Sequence, residues 1–219
     1  MPIPIGVTGG SGEPTRRSLP GFPGLADNSG VGPSTMANQL RLRLRRATLN
    51  DVALLEQWDT DPDVIAATTD DDATERAFGG VDWREELGHD SEVSYHLIAE
   101  VDERPVGAMQ ICDPHLEPTH YWGDIEPNLR AVDVWIGAER DRNKGYGREM
   151  MRLAHEACFA DPQVTAIMID PLVSNTRAIA FYQRLGYLTV ERRMFEDDDC
   201  LVLTLPREVW REREALVRP

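Results

Sequence analysis

The stretch that most constrains this chain is a strand, a glycine turn and a helix written one after another. Residues 131–137 (AVDVWIG) read as a buried strand, and residues 147–160 carry apolar side chains at helical spacing. Between them lies Arg142-Asn143-Lys144-Gly145-Tyr146-Gly147. Glycines two residues apart let the main chain bend so that successive N–H groups point into one concavity. A helix starting there adds its unsatisfied first amides and the positive end of its dipole. Such a junction can cradle a diphosphate without a metal, and Arg142, Lys144 and Arg148 stand near enough to balance its charge. The pattern lacks the Gly-Lys-Ser/Thr of a Walker loop, and the three-glycine spacing and later acidic residue of a dinucleotide turn. Alone, it also fits a purely structural glycine turn.

The flanking sequence supplies the rest of a mixed sheet. Leu40, Leu42 and Leu44 alternate with arginines as a strand with one apolar face. Thr48 and Asp51 resemble a capping box ahead of Val52, Leu54, Leu55 and Trp58, a helix expected to end at Asp61-Pro62. A short helix is expected over 82–87, and residues 94–101 and 105–112 read as a hairpin. A strand over 164–169 precedes a helix over 176–185 capped by Gly186. Strands at 187–195 and 200–205 and a terminal helix over 209–216 complete the pattern. The order β-α-α-β-β-β-α-β-α-β-β predicts an α/β (α+β) fold, a mixed central sheet of about six to seven strands flanked by helices. Residues 1–35, rich in Gly, Pro, Ser and Thr, read as a flexible tail, with Met36 a candidate initiator and 36–219 the folded domain.

Charge narrows the partners. The net charge is −15, with acidic clusters at 59–63, 70–75, 82–92 and 197–199. A surface this negative repels nucleic acid and anionic lipid and attracts small polycations, although an acidic soluble surface needs no such purpose. No apolar run is long enough to span a bilayer, and the N-terminus has no secretory pattern. Cys112, Cys158 and Cys200 form no metal or disulfide spacing, so buried thiols in a reducing cytoplasm are expected.

A second block changes the weight of the glycine turn. Residues 170–187 read DPLVSNTRAIAFYQRLGY. Together the two blocks resemble the GNAT acetyltransferases, whose first motif is Gln/Arg-x-x-Gly-x-Gly/Ala and whose second is Asn-x-x-Ala-x-x-x-Tyr-x-x-x-Gly-Phe/Tyr. Within that superfamily the chain is similar to the aminoglycoside 6′-N-acetyltransferases over roughly 40–205. The likeness rests on residues 132–137 (VDVWIG), on Phe159-Ala160-Asp161-Pro162, and on Asp170-Pro171 followed by Ser174-Asn175-Thr176-Arg177-Ala178-Ile179. The chain departs at Val134, where those enzymes have Gln, and at Tyr121-Trp122, where they have paired tryptophans.

The resemblance implies direct attack of an amine on the thioester of acetyl-CoA, with no metal. Asp133 then binds the amine and takes its proton, and Tyr182 protonates the departing thiolate, unless it merely packs beneath the pantetheine. Backbone amides near Trp135 and Ile136 stabilise the oxyanion. Arg142, Asn143, Lys144, Gly145, Tyr146, Gly147 and Arg148 hold the diphosphate, Asn175 the pantetheine and Arg184 the nucleotide phosphates. Asp170 either binds a cationic acceptor group or caps the following helix. Asp133, Asp170 and Trp122 are the acceptor candidates, with Tyr121 and Trp83 nearby, although core or lid packing is the better reading of Trp83; His115 and His120 have no assigned role. The implied partners are a small amine acceptor and acetyl-CoA, with no nucleic acid or membrane, in a monomer or homodimer. Alternatives are a siderophore-type lysine N-acyltransferase, a protein N-acetyltransferase, and a non-catalytic acyl-CoA-binding module.

Overall fold

The computed structural model describes residues 41–217; the tail read over 1–35, Met36 and the first residue of the opening strand, Leu40, lie outside the described residues. Strand β1 (Leu42–Arg46) leads into helices α1 (Val52–Asp59), α2 (Pro62–Thr68) and α3 (Trp83–Gly88). The hairpin β2 (Ser94–Val101) and β3 (Arg104–Cys112) follows, then β4 (Leu129–Ile136), α4 (Tyr146–Ala160), β5 (Ala166–Ile169) and α5 (Thr176–Leu185). A last hairpin, β6 (Leu188–Phe195) and β7 (Asp198–Pro206), precedes α6 (Arg207–Val217).

The seven strands form one sheet in the order β1-β2-β3-β4-β5-β7-β6. All neighbours are antiparallel except β4 and β5, which run parallel because α4 carries the chain back across the sheet. The mixed α/β fold expected from the sequence is therefore the fold observed. Most boundaries lie within one or two residues of those expected, and one differs in kind. Asp61-Pro62 was expected to end a helix, and it also begins one. The Asp61 side chain accepts from the amides of Asp63 and Val64, and proline suits a first helical position because the amide it lacks would have no partner there.

Period-two alternation divides the core. Val132, Val134 and Ile136 of β4 face α4 and α5, in a cluster with Met150, Met151, Ala154 and Tyr182. Trp135 faces the opposite side, against Leu55, Phe78 and Trp83. Ala131 shares that side but packs on Trp122, Met168 and Phe195. Asp133 stands between them on the same face, so it occupies the gap between two apolar patches.

The position that positions the strand most tightly is Gly137. A β-carbon added there would lie 2.0–2.3 Å from ring atoms of Trp58. Gly137→Ala is expected to destabilise the fold by about 3 kcal/mol, lowering the melting temperature by roughly 6–12 °C in scanning calorimetry.

Candidate active site

The sheet opens where β4 and β5 part. Leu129, Arg130 and Ala131 pair with Ala166, Ile167 and Met168, while β4 stays paired with β3 as far as Ile136. From Val132 onward β4 has, among the described residues, a neighbouring strand on one side only. The Gly137 amide donates to the Val106 carbonyl of β3 at 3.1 Å. Amides alternate in direction along a strand, so those of Asp133 and Trp135 also turn toward β3. Those of Val134 and Ile136 turn into the opening. This corrects the expectation of an outward Trp135 amide and adds that of Val134.

A cleft of about 1050 Å3 fills the opening. One wall is α2; the other is the start of α4 and the length of α5. The cradle is built as its sequence suggests. Asn143 has φ 62° and Gly145 has φ 84°, the left-handed region that turns consecutive amides the same way. Glu149 donates to the Gly145 carbonyl at 3.2 Å, so the amides of Tyr146, Gly147 and Arg148 precede the first hydrogen bond of the helix. Gly147 leaves room, since an added β-carbon would meet only Phe181 Cζ at 3.8 Å. An open cleft, backbone donors and a positive helix end fit a diphosphate carried on a long flexible arm.

The side chains of that segment divide. Arg142, Asn143, Gly145, Gly147, Arg148, Asn175 and Arg184 line the cleft, together with Trp135, Ile136 and Tyr182. Lys144 and Tyr146 do not. Lys144 Nζ lies 3.7 Å from Asp141 Oδ1, and the two oxygens of that carboxylate, Oδ2 and Oδ1, accept from Arg104 Nη1 and Nη2. Tyr146 is buried in the core with Met150 and Tyr182; only its amide is placed for an anion. Arg142 is also not free for a phosphate, because its guanidinium donates to Asp61 and Asp63 at the head of α2.

Continuous with the cleft is a smaller pocket of about 110 Å3. Asp133, Val134 and Trp135 of β4, Asp170 after β5, Tyr182 of α5, and Asp198 and Cys200 of β7 line it, with Phe78 and Tyr121 among its other walls. Asp133 and Asp170, 37 residues apart in sequence, thus share one small space. Burial raises the carboxyl of Asp133 above its ordinary range. Burial, reinforced by the charge of Asp133, pushes Asp170 up to about 6. Burial and both carboxylates hold the Tyr182 phenol well above its usual value, so it remains protonated and able to donate.

Several assignments differ from the sequence reading. Trp122 is only 3% exposed and packs against Phe195 and Tyr121 rather than lining the pocket. Tyr121 takes that place, its hydroxyl donating to Asp170 Oδ2 at 2.6 Å. Asp170 does not cap α5: Asn175 does, accepting from the Ala178 amide at 3.0 Å. Trp83, by contrast, packs in the core as favoured from the sequence: it is fully buried and its indole N–H donates to Asp59 Oδ2 at 2.7 Å. Sequence reasoning missed Asp198, which it saw only as part of an acidic run, although Asp198 is 4% exposed and accepts from Thr69 Oγ1 and the Asp70 amide. Among the described residues no cluster of His, Cys, Asp and Glu could hold a metal ion, and no helix is long and apolar enough to cross a membrane.

Comparison with known proteins agrees with this geometry. The sequence model of the acetyltransferase (GNAT) domain matches residues 47–195. The aminoglycoside N(6′)-acetyltransferase type 1 of Klebsiella pneumoniae is 29% identical over 152 residues, covering 66% of this chain and 72% of that protein. A kanamycin resistance protein of Rhizobium radiobacter is 36% identical over 73 residues, 33% of this chain and 68% of its own. In fold, the chain is similar to aminoglycoside acetyltransferase AAC(6′)-Ib in complex with coenzyme A, with TM-score 0.68 at 23% identity, covering 79% of this chain and 99% of that one. It is also similar to spermidine N-acetyltransferase from Vibrio cholerae in complex with CoA and spermine, with TM-score 0.59 at 15% identity, covering 77% and 97%. A domain-wide match, a sheet parted at β4 and β5, and an amide cradle opening on that gap lead to one conclusion: the chain belongs to the acetyltransferase (GNAT) domain family and is an acetyl-CoA-dependent N-acetyltransferase.

Proposed function

We propose that the acceptor is a small polycationic amine, and that the group acetylated is the 6′-amine of an aminoglycoside. The observation that carries this reading is the small pocket beside Tyr182, into which three carboxylates converge from three elements: Asp133, Asp170 and Asp198. Three anions in a space of about 110 Å3 suit a ligand bearing several ammonium groups. The similarity to aminoglycoside acetyltransferases supports the same choice. A lysine acyltransferase handling long acyl groups calls for a wider tunnel and fewer acids. Binding and turnover need only these two small molecules, so a cytoplasmic enzyme working without nucleic acid or membrane is the simplest setting.

Acetyl-CoA supplies the activated acyl group; the residues of the chain do the rest. The diphosphate rests on the amides of residues 145–148, flanked by Arg148 and Arg184, and the pantetheine passes Asn175. Arg142 joins them only by exchanging Asp61 and Asp63 for phosphate. Asp170 and Asp198 hold the charged acceptor. A primary amine with a pKa of about 9–10 is mostly protonated at neutral pH, and releasing the free base costs roughly 1.4 kcal/mol per pKa unit. Asp133, with its affinity for protons raised by burial, accepts that proton. The amides of Val134 and Ile136 donate to the developing oxyanion, and the Tyr182 hydroxyl donates to the departing sulfur.

The test is thiol release from acetyl-CoA with kanamycin and tobramycin, scored beside spermidine and a lysine derivative. Release with the aminoglycosides is expected; silence across an aminoglycoside panel rejects the acceptor assignment. A second expected outcome concerns pH. Because burial pushes Asp170 up to about 6 and the carboxyl must be ionised to hold an ammonium, kcat/KM for the acceptor should fall as pH drops through about 6. A pH–rate profile at saturating acetyl-CoA checks it.

A further inference from the structure

The loop over 113–128 carries no catalytic candidate, yet it is anchored more firmly than an idle connection requires. Glu117 is 1% exposed in the middle of this loop. Its Oε2 accepts from the Thr119 amide at 2.7 Å and the Thr119 hydroxyl at 2.6 Å. Its Oε1 accepts from the Tyr121 amide at 2.6 Å. A buried carboxylate with three short hydrogen bonds holds the backbone from 117 to 121 in one conformation. Two left-handed residues, His120 at φ 52° and Gly123 at φ 72°, complete the tight winding. The ring of Tyr121 then stacks on Phe195 of β6, with centroids 4.5 Å apart and planes at 10°. Its hydroxyl reaches Asp170 Oδ2 at 2.6 Å.

We infer that Tyr121 is a positioning residue: fixed by the buried Glu117 carboxylate, its hydroxyl clamps Asp170 so that the other carboxylate oxygen is presented to the acceptor ammonium group. The inference rests on the reading above that Asp170 holds the acceptor. A stack on Phe195 alone would need only a phenylalanine, so the hydroxyl has its own task. Donation from a phenol to one oxygen removes the rotational freedom of the carboxyl group. It also favours the ionised form that an ammonium requires.

The groups facing Asp170 set the sign of the pH effect. They are Asp133 from β4, Tyr182 from α5, Cys200 and Asp198 from β7, and Tyr121 from the loop. Asp133 raises its proton affinity, and Tyr121 is the neighbouring side chain that lowers it by hydrogen bonding. Removing the hydroxyl must therefore move the Asp170 titration upward.

The experiment uses Tyr121→Phe and Glu117→Ala in the full chain, with near-ultraviolet circular dichroism to confirm the fold. For Tyr121→Phe, the KM for kanamycin should rise about tenfold while kcat and the KM for acetyl-CoA stay within about twofold. The acidic limb of kcat/KM should move up by about half to one pH unit. Glu117→Ala should reproduce the rise in KM, and the double variant should be no worse than the poorer single one, because both act through the same hydroxyl. An unchanged kanamycin KM and acidic limb in Tyr121→Phe, or additive effects in the double variant, would overturn the inference. Carbon-13 titration of the Asp170 carboxyl in the free protein gives a readout without any acceptor. An upward move in Tyr121→Phe supports the clamp and an unmoved titration overturns it, even if the native enzyme leaves kanamycin untouched and the acceptor assignment fails. Should Tyr121→Phe not fold, the same titration in Glu117→Gln decides, with the same upward move expected.

Discussion

Gly145→Glu is expected to abolish association with acetyl-CoA, leaving no saturable heat in titration calorimetry at concentrations where the native protein saturates. Three physical costs coincide at this position. Gly145 has φ 84°, where a side chain costs about 1–2 kcal/mol. The residue lines the cleft directly before α4, so the new side chain occupies the space the diphosphate needs. Its carboxylate also brings a negative charge to the helix end that is meant to receive one, and so competes with the ligand for the same amides. Gly147→Ala is the control. Its β-carbon would meet only Phe181 at 3.8 Å, and the motif the chain resembles admits alanine there. Binding should survive in this variant within a few-fold. Undiminished binding by Gly145→Glu would remove the cradle from the argument.

Asp133→Asn should lower kcat by about two orders of magnitude or more, with the dissociation constant for acetyl-CoA within about twofold of native. Asparagine fills the same volume between the two apolar patches but cannot take a proton from the amine. The cleft proposed for the cofactor lies along α4 and α5, and Asp133 belongs to the smaller pocket beyond it, so cofactor binding should be spared. Steady-state kinetics and calorimetry on one preparation separate the two effects. Native turnover in Asp133→Asn would show that the amine loses its proton elsewhere. A parallel loss of acetyl-CoA affinity would instead show that the substitution disturbs the strand.

The two features behind these predictions were legible in sequence for the same reason: each is local. A strand, a turn with glycines at two-residue spacing and a helix follow one another without interruption, and their backbone geometry depends only on neighbours. Alternation along β4 likewise puts Asp133 on the face opposite Val132 and Val134 before any partner strand is known. What alternation could not reveal is which strands flank β4. The parting of β4 from β5 depends on a pairing between residues 37 positions apart. That parting leaves the Val134 and Ile136 amides directed into the cleft.

Side chains whose role depends on a distant partner were read less well. Arg142 looked like a phosphate ligand because it stands beside the glycines, but Asp61 and Asp63 reach it from α2. Trp122 looked like a wall of the acceptor site, and it went into the core because Phe195 and Cys200 of the last hairpin offered an apolar bed. Tyr121 was left facing Asp170 in its stead. Asp198 was one of three consecutive aspartates until the hairpin turned it inward.

Sequence alone thus determined the fold class and the glycine turn, which follow from periodicity and backbone conformation within short windows, and the order of two motifs carried the resemblance to the acetyltransferase family. Tertiary structure alone decided which acids meet in the small pocket beside Tyr182, because those carboxylates arrive from strands and loops far apart in the chain. Their protonation and their ligand depend on burial and on one another's charge, and neither exists until the sheet has closed around them.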